Sequence, residues 1–239
     1  MPSFLSACAN RTTSSLDLKH KSRVQNVSAY VERPQNYITV EVAESKAAAY
    51  VGGLWILSVY DVIQNSITEG NAAKRTQLLQ AFYIDTKVQN LVKDKLNQNV
   101  NQQNWFKSTP LEFSNMDDST IKSILEKSTQ DAVIFHKIEF SLAEKLDMLK
   151  VTLNVQMYPT QKSSLKLIDN NDPYSKPLLA FTIHSTAQTS DITDDADENI
   201  GSWEWNNGEN FKSAIKGIVD DIMKKYQYIL NNPEKTVEK

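Results

Sequence analysis

Residues 149–157 alternate strictly: Leu149, Val151, Leu153, Val155 and Met157 take the odd positions, and Lys150, Thr152, Asn154 and Gln156 the even ones. A period of two places one set on each face of a pleated strand. Residues 132–140 read the same way, with Ala132, Ile134, Ile138 and Phe140 as an apolar set. The short connection through residues 143–147 allows an antiparallel hairpin, although no glycine marks its turn. Pro159 stops the second strand. A third strand spans residues 178–186, with Leu179, Phe181 and Ile183 inward. Nearer the start, Ile38, Val40 and Val42 alternate with Tyr37, Thr39 and Glu41, and residues 27–32 form a short strand before Pro34.

Other stretches follow the helical period. Phe211, Ile215, Ile218, Ile222, Tyr226 and Ile229 recur every three or four positions, with Lys212, Lys216, Asp220 and Lys224 opposite. This closing helix ends at Asn231-Asn232-Pro233. Ile84, Val88, Leu91, Val92 and Leu96 predict another helix, with Asp85 placed to cap it. The amide-rich residues 97–104 read as its frayed end and a loop. Asp117 or Asp118 caps a short helix carrying Ile121, Ile124 and Leu125. Residues 47–60 hold fourteen positions without a charge, between Lys46 and Asp61. A membrane-spanning helix needs about 20 apolar residues, so a buried core helix is the better reading. Within it Gly52 and Gly53 lie one turn from Ala48 and Ala49, a spacing that lets another backbone approach closely.

Strands in succession beside amphipathic helices indicate an α+β fold: a mainly antiparallel sheet with helices packed on one face, a two-layer sandwich. This order of elements resembles the periplasmic α/β modules of curli-secretion and Tol-system lipoproteins and their partners. The resemblance rests on element order and implies fold alone. A single domain is expected over residues 27–231, after a polar linker at 9–26 and before a charged tail at 232–239. With 239 residues such a domain has room for a real core. Twenty-six basic against 29 acidic side chains leave a net charge of −3, far from the balance of a nucleic-acid binder.

The common catalytic patterns do not appear. Six glycines form neither G-x-G-x-x-G nor a P-loop, and Gly201-Ser202 lacks the G-x-S-x-G context. Of the three histidines, His20 falls in the linker, His136 shares a strand face with Ile134 and Ile138, and His184 lies on a polar face beside Thr182 and Thr186. No pair has the H-E-x-x-H spacing, and one cysteine rules out a thiolate zinc site. Asp191, Asp194, Asp195, Asp197 and Glu198 offer oxygen ligands, but an EF-hand loop beginning at Asp191 would put Ala196 and Ser202 where Gly and Glu belong. A solvated acidic loop is expected instead, and no cofactor. Trp203 and Trp205 flank Glu204 ahead of the closing helix. On an extended segment they point to opposite sides, one ring to the core and one to the surface, where it could stack on a sugar or a partner.

The single cysteine belongs to the most specific motif, Leu5-Ser6-Ala7-Cys8. It resembles the lipobox of bacterial lipoproteins: a leucine, two small residues, then the cysteine that takes the lipid and becomes the mature amino terminus. The polar stretch that follows suits a tether. The resemblance implies lipidation at Cys8, a membrane anchor, and an apolar signal segment upstream of the seven residues preceding Cys8. Ala9, rather than Asp, after the cysteine implies the periplasmic face of the outer membrane, by similarity to enterobacterial sorting. The expectation is therefore a lipid-anchored envelope protein with a non-catalytic binding or assembly role, with Gly52, Gly53, Trp203 and Trp205 as candidate partner surface. Two alternatives stand beside it. One is a periplasmic enzyme whose site joins distant residues, such as His184 with neighbouring carboxylates. The other is an oligomer-forming envelope subunit joined through the Gly52/Gly53 helix.

Overall fold

The computed structural model describes residues 11–14, 16, 18–35, 37–41, 76–160 and 176–234. The Cys8 motif and the uncharged segment with Gly52 and Gly53 lie outside these residues. In chain order the elements are β1 (Arg11–Ser14), α1 (Leu18–Lys21), β2 (Asn26–Glu32), β3 (Thr39–Val40), α2 (Gln77–Asp85), α3 (Val88–Asn101), β4 (Lys107–Ser108), β5 (Glu112–Ser114), α4 (Asp118–Lys127), β6 (Ala132–Leu142), β7 (Met148–Pro159), β8 (Leu179–Gln188) and α5 (Ala196–Asn231). The fold is α+β, with helices packed on a sheet.

The eight strands form one sheet in the order β1-β8-β7-β6-β2-β4, with β3 beside β6 and β5 beside β2. β6, β7 and β8 pair antiparallel, as the alternation predicts, and Leu153 lies between Ile138 and Ile183. The sheet as a whole is mixed, because β2 and β3 run parallel to β6, and β4 and β5 parallel to β2. The polar stretch read as a linker is partly folded: β1 pairs antiparallel with the edge of β8, and Leu16 is buried with its N–H on the Pro233 carbonyl. A sheet edge offers unpaired backbone groups to any strand, whatever its side chains.

One face of the sheet carries the main core. The odd residues of β7 and the even residues of β6 are buried against α5, which supplies Phe211, Ile215, Ile218, Ile222 and Tyr226. α2 and α3 pack beside α5. Burial of this apolar stripe, at about 25 cal/mol per Å², is what holds helix to sheet. Among the described residues the opposite face is covered at one corner, where Leu125 of α4 meets Val133, Phe135, Tyr30 and Tyr158. Beyond that corner the face is polar. Lys137 bridges Glu32 and Glu139, Lys150 pairs with Glu41, and Thr182 donates to Asn154 at 2.8 Å.

Three details depart from the sequence reading. The helix expected to start at Asp85 is two helices. Lys87 takes a left-handed conformation at φ 51°, ends α2 and starts α3, and leaves Ile84 exposed. The amide-rich segment is ordered: α3 runs to Asn101, Asn97 Oδ1 accepts from the Leu111 N–H, and Gln103 Nε2 donates to the Asn99 carbonyl. The glycine-free turn between β6 and β7 uses Leu146 at φ 57°, a conformation costly for a branched side chain. Its ring of supports explains the choice, since Leu146 is buried and its carbonyl accepts the Trp203 indole N–H at 2.7 Å.

Candidate functional site

Where β8 ends, the chain turns through residues 189–195 into α5. Asp195 caps that helix by accepting the Asp197 N–H at 2.8 Å, and Asp194 pairs with Lys145, which lowers its pKa. Asn199 is buried and holds the turn from inside, bonding the Lys145 and Thr193 carbonyls and the Thr193 N–H. The acidic cluster is therefore a capping loop. Among the described residues no group of His, Cys, Asp and Glu has the arrangement of a metal site.

After Glu204 the helix breaks. Trp205 turns extended, and Asn206, Asn207 and Gly208 are left-handed in succession, at φ 53°, 58° and 75°. Asn tolerates that region better than other side chains, and Gly carries no penalty there. Gly208 is also required by packing, because a Cβ there would lie 2.3 Å from the Phe82 ring. The break decides the fate of the two tryptophans. Trp203, still helical, is 1% exposed and packs edge-on against Phe211. Trp205, carried out by the break, is 72% exposed. One ring is in and one is out, as expected, but a helix end and a bend separate them rather than strand alternation, and the burial of Trp203 removes it from the candidate partner surface.

Trp205 stands over a cleft of about 640 Å³ between the end of β8 and the broken helix. Gln188, Thr189, Ser190 and Asp191 line one wall, and Glu198, Gly201, Ser202 and Asn210 the other. Two features of this lining are not explained by the fold. Gln188 Oε1 is buried and finds no hydrogen-bond partner among the described residues. Gly201 lies inside a helix, where glycine costs about 1 kcal/mol, yet a Cβ placed on it would meet nothing within 4 Å. Burial raises the pKa of Glu204, next to Trp205. A rim of hydroxyl, amide and carboxylate groups beside an indole face can bind a polar ligand in a fixed orientation; within it the Ser190 hydroxyl donates to Asp191 at 3.1 Å.

The histidines do other work. His136 is fully buried. Its Nδ1 faces the Tyr30 carbonyl at 2.8 Å and its Nε2 the Tyr226 hydroxyl at 2.6 Å. A carbonyl only accepts, so Nδ1 carries the proton and Nε2 accepts from Tyr226. Burial holds the imidazole neutral, with its pKa lowered to about 4. His184 lies on the open polar face with Nδ1 at 3.0 Å from the Thr152 hydroxyl, and burial, then Lys225, lower its pKa. It lines neither the Trp205 cleft nor a second, smaller one beside Tyr30 and α4. On the helix side of the same strand, Ser185 donates to Asp221 and Lys225 to the His184 carbonyl, clipping α5 to β8.

The sequence reading reached Trp205 but missed Gln188, Gly201 and Asn210. The signal for the bend was present: Asn206-Asn207-Gly208 is a run of turn formers inside a helical pattern. Nothing local marks Gln188, whose place depends on how β8 meets α5. Among the described residues no helix is long and apolar enough to cross a membrane.

No family model matches the chain, and no curated protein matches it. Among solved structures, a variant PelC dodecamer from Paraburkholderia phytofirmans is similar over 95% of this chain and 99% of that one, at 8% identity and a TM-score of 0.34. Another crystal form of the PelC dodecamer from the same organism is similar over 90% and 97%, at 8% identity and a TM-score of 0.31.

Proposed function

We propose that this chain is a lipid-anchored cell-envelope protein, held at the periplasmic face of the outer membrane through Cys8, whose folded domain binds a ligand or partner without catalysis. The observation that carries the reading is the lone cysteine in Leu5-Ser6-Ala7-Cys8, with a small residue at each of the two preceding positions. The Trp205 cleft supports the binding half. It combines an exposed indole with a polar lining. Each buried methylene of an acyl chain contributes about 0.8 kcal/mol, so one chain anchors marginally and two or three anchor stably.

The anchor is tested in the full-length protein by Cys8→Ser. The variant should keep the wild-type circular dichroism spectrum and move from the membrane to the soluble fraction, and it should lose incorporation of labelled palmitate. Equal membrane recovery of variant and wild type would refute the anchor.

A further inference from the structure

We infer that the Trp205 cleft is a binding site for a neutral sugar unit of a glycan chain; this rests on the binding reading above and names its ligand. Three independent features of the cleft call for such a ligand. The first is Trp205, whose 72% exposed ring forms one side of it. Single exposed aromatics are ordinary, so exposure alone decides nothing. This ring, however, is held out by a backbone with three successive left-handed residues, a conformation that a helix of the same sequence length would avoid. A pyranose ring presents a flat patch of C–H groups that matches an indole face, and a rim of hydroxyls.

The second feature is Gln188 Oε1, buried without a partner among the described residues. A buried acceptor left unpaired costs free energy, and a donor arriving with a ligand removes that cost. A sugar hydroxyl is such a donor once the Gln188 side chain, which lines the cleft, turns its amide oxygen outward. The hydrocarbon of a membrane is not, which argues against Trp205 as a lipid-inserting residue. The third is Gly201. It exposes helix backbone to the cleft with open space where a Cβ would be. No described residue fills that space, which leaves room for a ligand to lie against the α5 floor. Ser190, Ser202 and Asn210 supply further donors and acceptors around it, while Asp191 and Glu198 put negative charge on the rim. That charge disfavours an acidic sugar.

The test uses the full chain and three probe classes: neutral hexose and N-acetylhexosamine oligosaccharides, uncharged peptides, and anionic lipid vesicles. The readout is the Trp205 indole N–H resonance, identified by its loss in Trp205→Phe. A neutral oligosaccharide should shift it saturably. Trp205→Ala should weaken that binding by roughly tenfold or more. Gly201→Ala is the sharper variant, because it should raise the melting temperature by removing a helical glycine and still weaken sugar binding. A purely structural role for Gly201 would not separate the two. If peptides or vesicles shift Trp205 and sugars do not, the sugar assignment falls and the binding reading stands. If none of the three classes shifts it, both fall. Gly201→Ala binding the sugar as wild type does would overturn the placement of the ligand over the α5 floor.

Discussion

His136 makes the stability of this protein depend on pH, and the sign follows from its surroundings. In the unfolded chain an imidazole titrates near 6.5. In the fold it is fully buried, donates to the Tyr30 carbonyl, accepts from Tyr226, and titrates at about 4. Between those values the unfolded chain holds a proton that the folded chain refuses. Stability is therefore complete above pH 6.5, falls as pH drops towards 4, and changes no further on this account below that. At about 1.4 kcal/mol for each tenfold step, the loss across the window is about 3 kcal/mol. Burial raises the pKa of Glu32 and Glu204, which act in the opposite direction, since their protonated forms favour the fold as pH falls. The informative quantity is the difference between wild type and His136→Leu. The variant is less stable at neutral pH, having left Tyr226 and the Tyr30 carbonyl unpaired, but it has no imidazole to titrate. Urea melts from about pH 7.5 to about pH 4.5 should show the wild type losing stability relative to the variant, so that the gap between them narrows with acid. Parallel profiles across that range would refute the reasoning.

Two further predictions concern packing. Leu153 is fully buried between Ile138 and Ile183, so Leu153→Ala should cost about 2–5 kcal/mol, whereas Asn154→Ala, on the half-exposed face, loses one hydrogen bond from Thr182 and should cost under about 1 kcal/mol. Denaturant melts decide it, and equal costs would mean that both sheet faces are packed alike. Gly208→Ala places a methyl 2.3 Å from the Phe82 ring at φ 75° and should destabilise by about 2–4 kcal/mol from strain and overpacking together. Adding Phe82→Ala should remove the steric share and leave the backbone share, so a double variant no better than additive would count against that contact.

The elements that the sequence determined by itself are those whose side chains repeat a period. The alternation in residues 149–157 assigned β7 its two faces, and Phe211, Ile215, Ile218 and Ile222 assigned α5 its stripe, because burial acts on every turn of a periodic pattern in the same way. Sharing a face with Ile134 and Ile138 marked His136 as a core or sheet-edge residue, and the pairing of β6 between β2 and β7 decides for the core. A cap at Asp117 or Asp118 was legible for a similar reason, since a cap is a contact over three residues; the structure assigns it to Asp117, whose carboxylate accepts the Thr120 N–H. What only the tertiary structure decided are contacts between distant parts of the chain. The parallel pairing of β2 with β6 spans about a hundred residues and leaves no local mark. β1 is polar and joins the sheet through backbone groups, which every residue carries. The left-handed Lys87 and Leu146 stand where a turn would advertise glycine, and at Leu146 the burial of the side chain offsets the strain. The cleft itself, with Gln188 from a strand facing Gly201 from a helix, exists only once β8 and α5 have docked, and no periodicity in either segment records that meeting.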